Sequence, residues 1–196
     1  MAANALLWDT CVVYRWFNGI PPEYVDHIEK YLEDSASGKC DIYISTVTLA
    51  ELRPSTVHKT GMSPSQVLSA MSKSFLLVDT TPDIMSLAGY LRDQKFRQIA
   101  VPESKSASRN LSLGDSIHLA TAVALREEFG VQDLSLHSFD QGKSRDGETG
   151  KKTVPIVGFE SWCRDCSSDE EIQKVISLPR KKPEHPLCPL PKTKAN

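Results

Sequence analysis

An open α/β fold, with a parallel sheet and helical crossovers, is what this sequence predicts. Two observations carry the prediction. Short apolar runs alternate with longer amphipathic stretches, strand then helix, along most of the chain. Four acids far apart in sequence, Asp9, Glu51, Asp115 and Asp140, stand where such a run ends or on a helix that comes after one. In parallel α/β sheets ligands bind outside the carboxyl ends of the strands, so acids from distant elements meet at one edge. Carboxylates crowded there repel one another, and a hard divalent cation relieves that repulsion.

Each element has its own local signal. Residues 5–8 are an apolar run closed by Asp9-Thr10, and Cys11-Val12-Val13-Tyr14-Arg15-Trp16-Phe17 is an amphipathic helix stopped by Asn18-Gly19. Pro21-Pro22 opens a helix with Tyr24, Val25, Ile28, Tyr31 and Leu32 on one stripe, ended by Ser37-Gly38. Ile42-Tyr43-Ile44 is the second strand. Ser45 or Thr46 caps a short helix carrying Val47, Leu49 and Glu51, stopped by Pro54. Ser63-Pro64 starts another helix, with Val67, Leu68 and Met71 inward. Phe75-Leu76-Leu77-Val78 is the third strand, and Thr81-Pro82-Asp83 opens the helix of Ile84, Leu87, Ala88 and Leu91.

Residues 97–112 break the pattern with a stretch rich in Ser, Lys and Arg, long for an inert connection and expected to face a substrate. Gly114-Asp115 begins an almost entirely apolar helix ending at Gly130, as a helix packed inside the protein requires. Leu134-Ser135-Leu136-His137-Ser138 is the fourth strand, with Asp140 just past its end. Val154-Pro155-Ile156-Val157 is expected as a fifth, at an edge because Pro155 cannot donate to a ladder. The expected domain spans residues 1–160. Residues 161–196 form an extension whose Pro- and Lys-rich end reads as partly disordered.

Bulk properties set wide bounds. A chain of 196 residues, 40% hydrophobic, can bury one core. A net charge of -2 decides nothing about polyanions, because a local basic surface is what binds them. The start has no basic leader, its apolar run stops at Asp9, and no stretch approaches a membrane span. Five scattered cysteines, an odd number, point to a reducing cytoplasm.

Taken singly, each acid has an ordinary explanation. Asp9 reads as a helix cap, Glu51 as a solvated charge, Asp115 as an acid favoured by a helix macrodipole, and Asp140 as a turn former. Jointly, on a parallel sheet, Asp9 and Asp140 leave neighbouring strand ends, Asp115 begins the helix leading into the later strand, and Glu51 reaches in after the second strand. That all-oxygen set suits Mg²⁺ or Mn²⁺ rather than zinc. His118, one turn after Asp115, reads as a buried histidine satisfied by a backbone carbonyl.

Asp9-Thr10 after an apolar strand, Leu49-Ala50-Glu51-Leu52, Asp115-Ser116-Ile117-His118-Leu119-Ala120-Thr121-Ala122 and Ser138-Phe139-Asp140 together resemble the motifs of PIN-domain ribonucleases, and among them VapC-type toxins. The likeness runs from Leu6 to Val157, and the Ala-rich helix rooted on Asp115 is its most specific part. It implies a three-layer α/β/α sandwich with a central parallel sheet, Mg²⁺- or Mn²⁺-dependent cleavage of RNA, homodimers, and inhibition by a small antitoxin encoded beside it. Carried over by position, Asp9 and Asp115 are the principal metal ligands, Glu51 completes the cluster, and Asp140 orients metal-bound water or a second ion. Thr10 and Ser138 hydrogen-bond the carboxylates. They stand at the substrate with Arg97, Arg109 and Lys143, joined by Lys105 and Arg145, whose ordinary reading is solvated charge.

Other readings are weaker. Gly142-Lys143-Ser144 ends like a phosphate loop, but His137 occupies the place of its first glycine. Cys11 stands where a haloacid-dehalogenase-type phosphatase needs a second Asp. Cys163, Cys166, His185 and Cys188 have spacings compatible with a structural zinc site, although the last two lie in a Pro-rich tail. A different class of function is a catalytically silent PIN-like scaffold that holds a cation and binds RNA or protein; the presence of all four acids weighs against it.

Overall fold

The computed structural model describes residues 4–20, 22–53, 63–102, 107–142 and 153–189. Five strands form one sheet: β1 (Asn4–Trp8), β2 (Cys40–Ser45), β3 (Leu76–Val78), β4 (Leu134–His137) and β5 (Arg180–Lys181). Their spatial order is β3-β2-β1-β4-β5, and every neighbouring pair is parallel. The helices are α1 (Thr10–Asn18), α2 (Val25–Ala36), α3 (Val47–Glu51), α4 (Pro64–Ser74), α5 (Pro82–Asp93), α6 (Leu113–Glu127) and α7 (Glu170–Ile176). The fold is the expected three-layer α/β/α sandwich with a central parallel sheet.

Strand alternation sorts the two cores. Ala5 and Leu7 of β1 face one way with Leu134 and Leu136 of β4, packing on Leu91 of α5, Leu119 and Val123 of α6, and Ile172 and Val175 of α7. Leu6 and Trp8 face the other way with Ile42 and Ile44 of β2, against Val12 and Val13 of α1, Ile28 of α2 and Met71 of α4. A period of two in the strands therefore feeds two separate apolar layers. Helix α6 is buried from Gly114 to Leu125, as its nearly unbroken apolar sequence requires. Its small Ala120 and Ala124 let α5 approach through Ile84 and Ala88.

Local signals explain the helix starts. Ser63 and Gln66 form a capping box at α4, Thr81 accepts from Ile84 N–H at α5, and Ser112 accepts from Asp115 N–H at α6. Gly19 ends α1 in the left-handed conformation, φ 59°, donating to the Arg15 carbonyl. Pro21 and Pro54, expected as a helix start and a helix stop, lie outside the described residues.

Two expectations change. The segment 154–157 is not a strand: Val154 and Ile156 are fully buried, but the chain there is irregular, tied through Val154 N–H to Asn110 O and Val157 N–H to Asp140 O. Its apolar pattern marks burial without a ladder, and Pro155 has no N–H to give one. The fifth strand is instead the charged pair Arg180–Lys181, held to β4 by backbone bonds such as Leu136 N–H to Pro179 O, 2.8 Å. The core also runs through residue 160: Trp162, Cys163, Ile172, Val175 and Leu178 are buried with β1, β4, α5 and α6. Residues 190–196 lie outside the described residues.

Candidate metal centre

Because all strands run parallel, the first residues after β1, β2 and β4 gather along one edge of the sheet. Asp9 N–H bonds the carbonyl of His137, the last residue of β4, at 3.0 Å, so the β1–β4 register carries past the end of β1 and sets Asp9 beside Ser138. Ser138 Oγ then donates to Asp9 Oδ2 at 2.6 Å, and Cys11, on the first turn of α1, lies with Sγ 2.9 Å from the same oxygen. Burial and the Asp9 charge push the Cys11 thiol well above its ordinary range, which keeps its proton available for that contact. Both neighbours engage Oδ2, while Oδ1 meets His118.

Glu51 enters from α3, directly after β2. Its Oε2 accepts from Thr10 Oγ1, which lies 3.2 Å from Thr48 Oγ1. Its Oε1 lies against Gly114 so closely that a Cβ there would come within 1.9 Å. Glycine at the start of α6 is thus the condition for Glu51 to occupy this position.

His118 completes the group from α6. It is fully buried, and Nε2 lies 3.4 Å from Asp9 Oδ1, 3.3 Å from Glu51 Oε2 and 3.1 Å from Thr10 Oγ1. The expected contact to a backbone carbonyl is absent among its described contacts: Nε2 faces acids, and Nδ1 is buried without a hydrogen-bond partner among the described residues. Burial opposes charge on this ring, but the Glu51 hydrogen bond and the charges of Asp9, Glu51 and Asp115 outweigh it and raise its pKa.

Asp9, Glu51 and His118 therefore present one donor atom each, all within 4.8 Å of one another. The set fits a divalent cation. Neighbouring donors on an octahedral ion with bonds near 2.1 Å are about 3 Å apart, and the separations of His118 Nε2 from Asp9 Oδ1 and Glu51 Oε2 exceed that by a few tenths of an ångström. The expected all-oxygen set thus has a nitrogen in it.

The other expected residues take varied places. Asp115, 7% exposed, accepts from the Ser112 hydroxyl at the head of its own helix, and its charge is felt at His118 one turn on. It is outside the three-donor group. Asp140 N–H donates to Ser138 Oγ at 2.9 Å, so Ser138 links it to Asp9, while Asp140 Oδ1 accepts from Gly142 N–H. Arg97 pairs with Asp165 at 3.6 Å and bridges Cys163; Arg109 bridges Phe96 and stacks its guanidinium 4.5 Å from the Trp162 ring centre. Lys105, Lys143 and Arg145 lie outside the described residues. The four residues weighed for zinc divide between the two helical layers. Cys163 donates to Phe159 O in one; His185 meets Asp34 and His27, and Cys188 lies by Asp26 O, in the other.

No protein-family model matches the chain, and no curated protein does. Among solved structures the chain is similar to VapBC2 from Rickettsia felis, in a crystal structure with a DNA fragment from their promoter. The TM-score is 0.41 and the identity 17%, over 69% of this chain and 99% of that one. An overlap of that extent assigns no chemistry, which is left to the residues themselves.

Two contributors escaped the sequence reading. Gly114 had a visible signal, a glycine in the first turn of a helix where propensity disfavours it. The aim of His118 had none, because periodicity gives the buried face of a helix and not the partner of a nitrogen upon it.

Among the described residues, no helix is long and apolar enough to cross a membrane.

Proposed function

We propose that this chain is a metal-dependent endoribonuclease, the toxin of a toxin–antitoxin pair, acting as a homodimer on RNA. The observation that supports this most is the Asp9–Glu51–His118 group at the carboxyl edge of a parallel sheet, where such folds bind ligands. The motif resemblance from Asp9-Thr10 to Ser138-Phe139-Asp140 supports RNA as the substrate. Asp9 and Glu51 would hold the cation with their carboxylates. Ser138 and Cys11 hold Asp9, Thr10 holds Glu51, and Asp115 and Asp140 add negative charge at the same edge. When bound, Mg²⁺ or Mn²⁺ supplies an activated water and offsets charge building on the phosphodiester.

The test is cleavage of a mixed RNA pool by purified protein with Mn²⁺ or Mg²⁺, alongside EDTA and the variants Asp9→Asn and Glu51→Gln, each checked for folding by circular dichroism. Expected is cleavage that EDTA abolishes and that each variant lowers by about a hundredfold or more. A folded wild type that binds metal but leaves every RNA intact overturns the nuclease reading in favour of a silent cation-binding scaffold.

A further inference from the structure

The imidazole turns the centre from an oxygen site into a mixed nitrogen and oxygen site. We infer that His118 Nε2 is a direct metal ligand, and that it makes this centre select first-row transition dications, Mn²⁺ among them, over Mg²⁺. The inference rests on reading the Asp9–Glu51–His118 group as a cation site, and goes beyond that reading by naming which ion the site takes and which atom decides.

Three observations carry it. The ring is fully buried, and its Nε2 faces three side-chain oxygens from three different elements, those of Asp9, Glu51 and Thr10, at 3.4, 3.3 and 3.1 Å. Two of those oxygens belong to carboxylates, and with the nitrogen they form a set of donor atoms all within 4.8 Å of one another, close enough for one ion to reach all three. The ring also has no freedom to leave: α6 is buried from Gly114 to Leu125, and Ile117, Leu119 and Ala120 beside His118 are packed in the core. A ligand fixed by a helix in the centre of the molecule is preorganised for one ion position.

The chemistry then ranks the ions. Mg²⁺ is hard, requires near-ideal octahedral geometry and gives up water reluctantly, so it favours sites that offer one or two carboxylates and leave its hydration in place. An imidazole nitrogen in the coordination sphere works against it. Mn²⁺ has no such aversion to nitrogen, and the later members of its row bind imidazole more tightly still.

The test uses the full chain and two readouts other than cleavage. Pulsed electron paramagnetic resonance of the Mn²⁺-loaded wild type detects nitrogen in the first coordination shell and requires no variant. Calorimetric titration with Mn²⁺ and with Mg²⁺ gives the ratio of affinities for wild type and for His118→Gln, which retains a polar side chain. Expected is a directly coordinated ¹⁴N signal, with a Mn²⁺ to Mg²⁺ preference of about a hundredfold that falls by tenfold or more in the variant. Mn²⁺ binding without nitrogen coupling overturns the inference and leaves the cation site standing, as does an unchanged ratio in a folded variant. A folded wild type that binds neither ion overturns both.

Discussion

At the scale of single residues the chain is most sensitive where a small side chain leaves room for a charged one. Gly114→Ala would place a methyl on the Glu51 carboxylate, and the flexible acid is what must move. The expected outcome is a folded protein whose Mn²⁺ affinity, measured by calorimetry, drops about as far as in Glu51→Gln; unchanged affinity would show that Glu51 is not held there. His137 gives a second prediction, on pH. It is fully buried against the Tyr31 ring, neither of its nitrogens has a hydrogen-bond partner among the described residues, and burial drives its pKa down to about 3. An unfolded histidine takes a proton near pH 6.5, whereas this one resists to about pH 3. Its contribution to stability is therefore complete above about pH 6.5 and drains away as pH falls toward 3, at up to about 1.4 kcal/mol per pH unit. Urea midpoints near pH 7.5 and 5 should differ less in His137→Leu than in the wild type, and equal shifts would refute the assignment. The acids at the ends of elements were legible in the sequence because strand ends and helix starts can be located there. The partner of His118 was not, since side-chain direction between distant elements is a product of packing.

At the scale of elements, most of the fold was readable because its signals were local: Ser63 with Pro64, Thr81 with Pro82, and the apolar run of α6. The exceptions share a cause. Residues 154–157 look like a strand because Val154 and Ile156 are buried, yet they lie in coil; β5 looks like surface because its two residues are charged, yet backbone bonds make it a strand. Hydrophobic pattern reports burial, and ladder formation depends on which backbone groups lie alongside. The segment after residue 160 is accordingly structural. Ile172→Ala on α7 should cost roughly 2–5 kcal/mol in chemical denaturation, as large-to-small changes in packed cores do. A chain cut after residue 160 should fail to give a cooperative melt, and a sharp transition in that truncation would show the segment to be dispensable.

At the scale of the whole molecule, Asp9, Glu51 and His118 come from three elements whose relative positions exist only in the folded state. A cation bound there binds the native protein alone, so Mn²⁺ should raise the melting temperature progressively with concentration. At about a hundred times its dissociation constant the added stability is about 2.7 kcal/mol. Asp9→Asn should show a much smaller rise, and an equal one would move the binding elsewhere. The sheet itself is flanked by very short outer strands, Leu76–Val78 on one side and Arg180–Lys181 on the other. A strand edge is a template on which another chain can extend a ladder, and its reach grows with its length. These edges offer two or three residues each, one ending in an exposed lysine, so fibre-like growth from one molecule to the next has almost nothing to start on. Crowded solutions of this protein should accordingly stay clear of cross-β aggregates while the fold is intact.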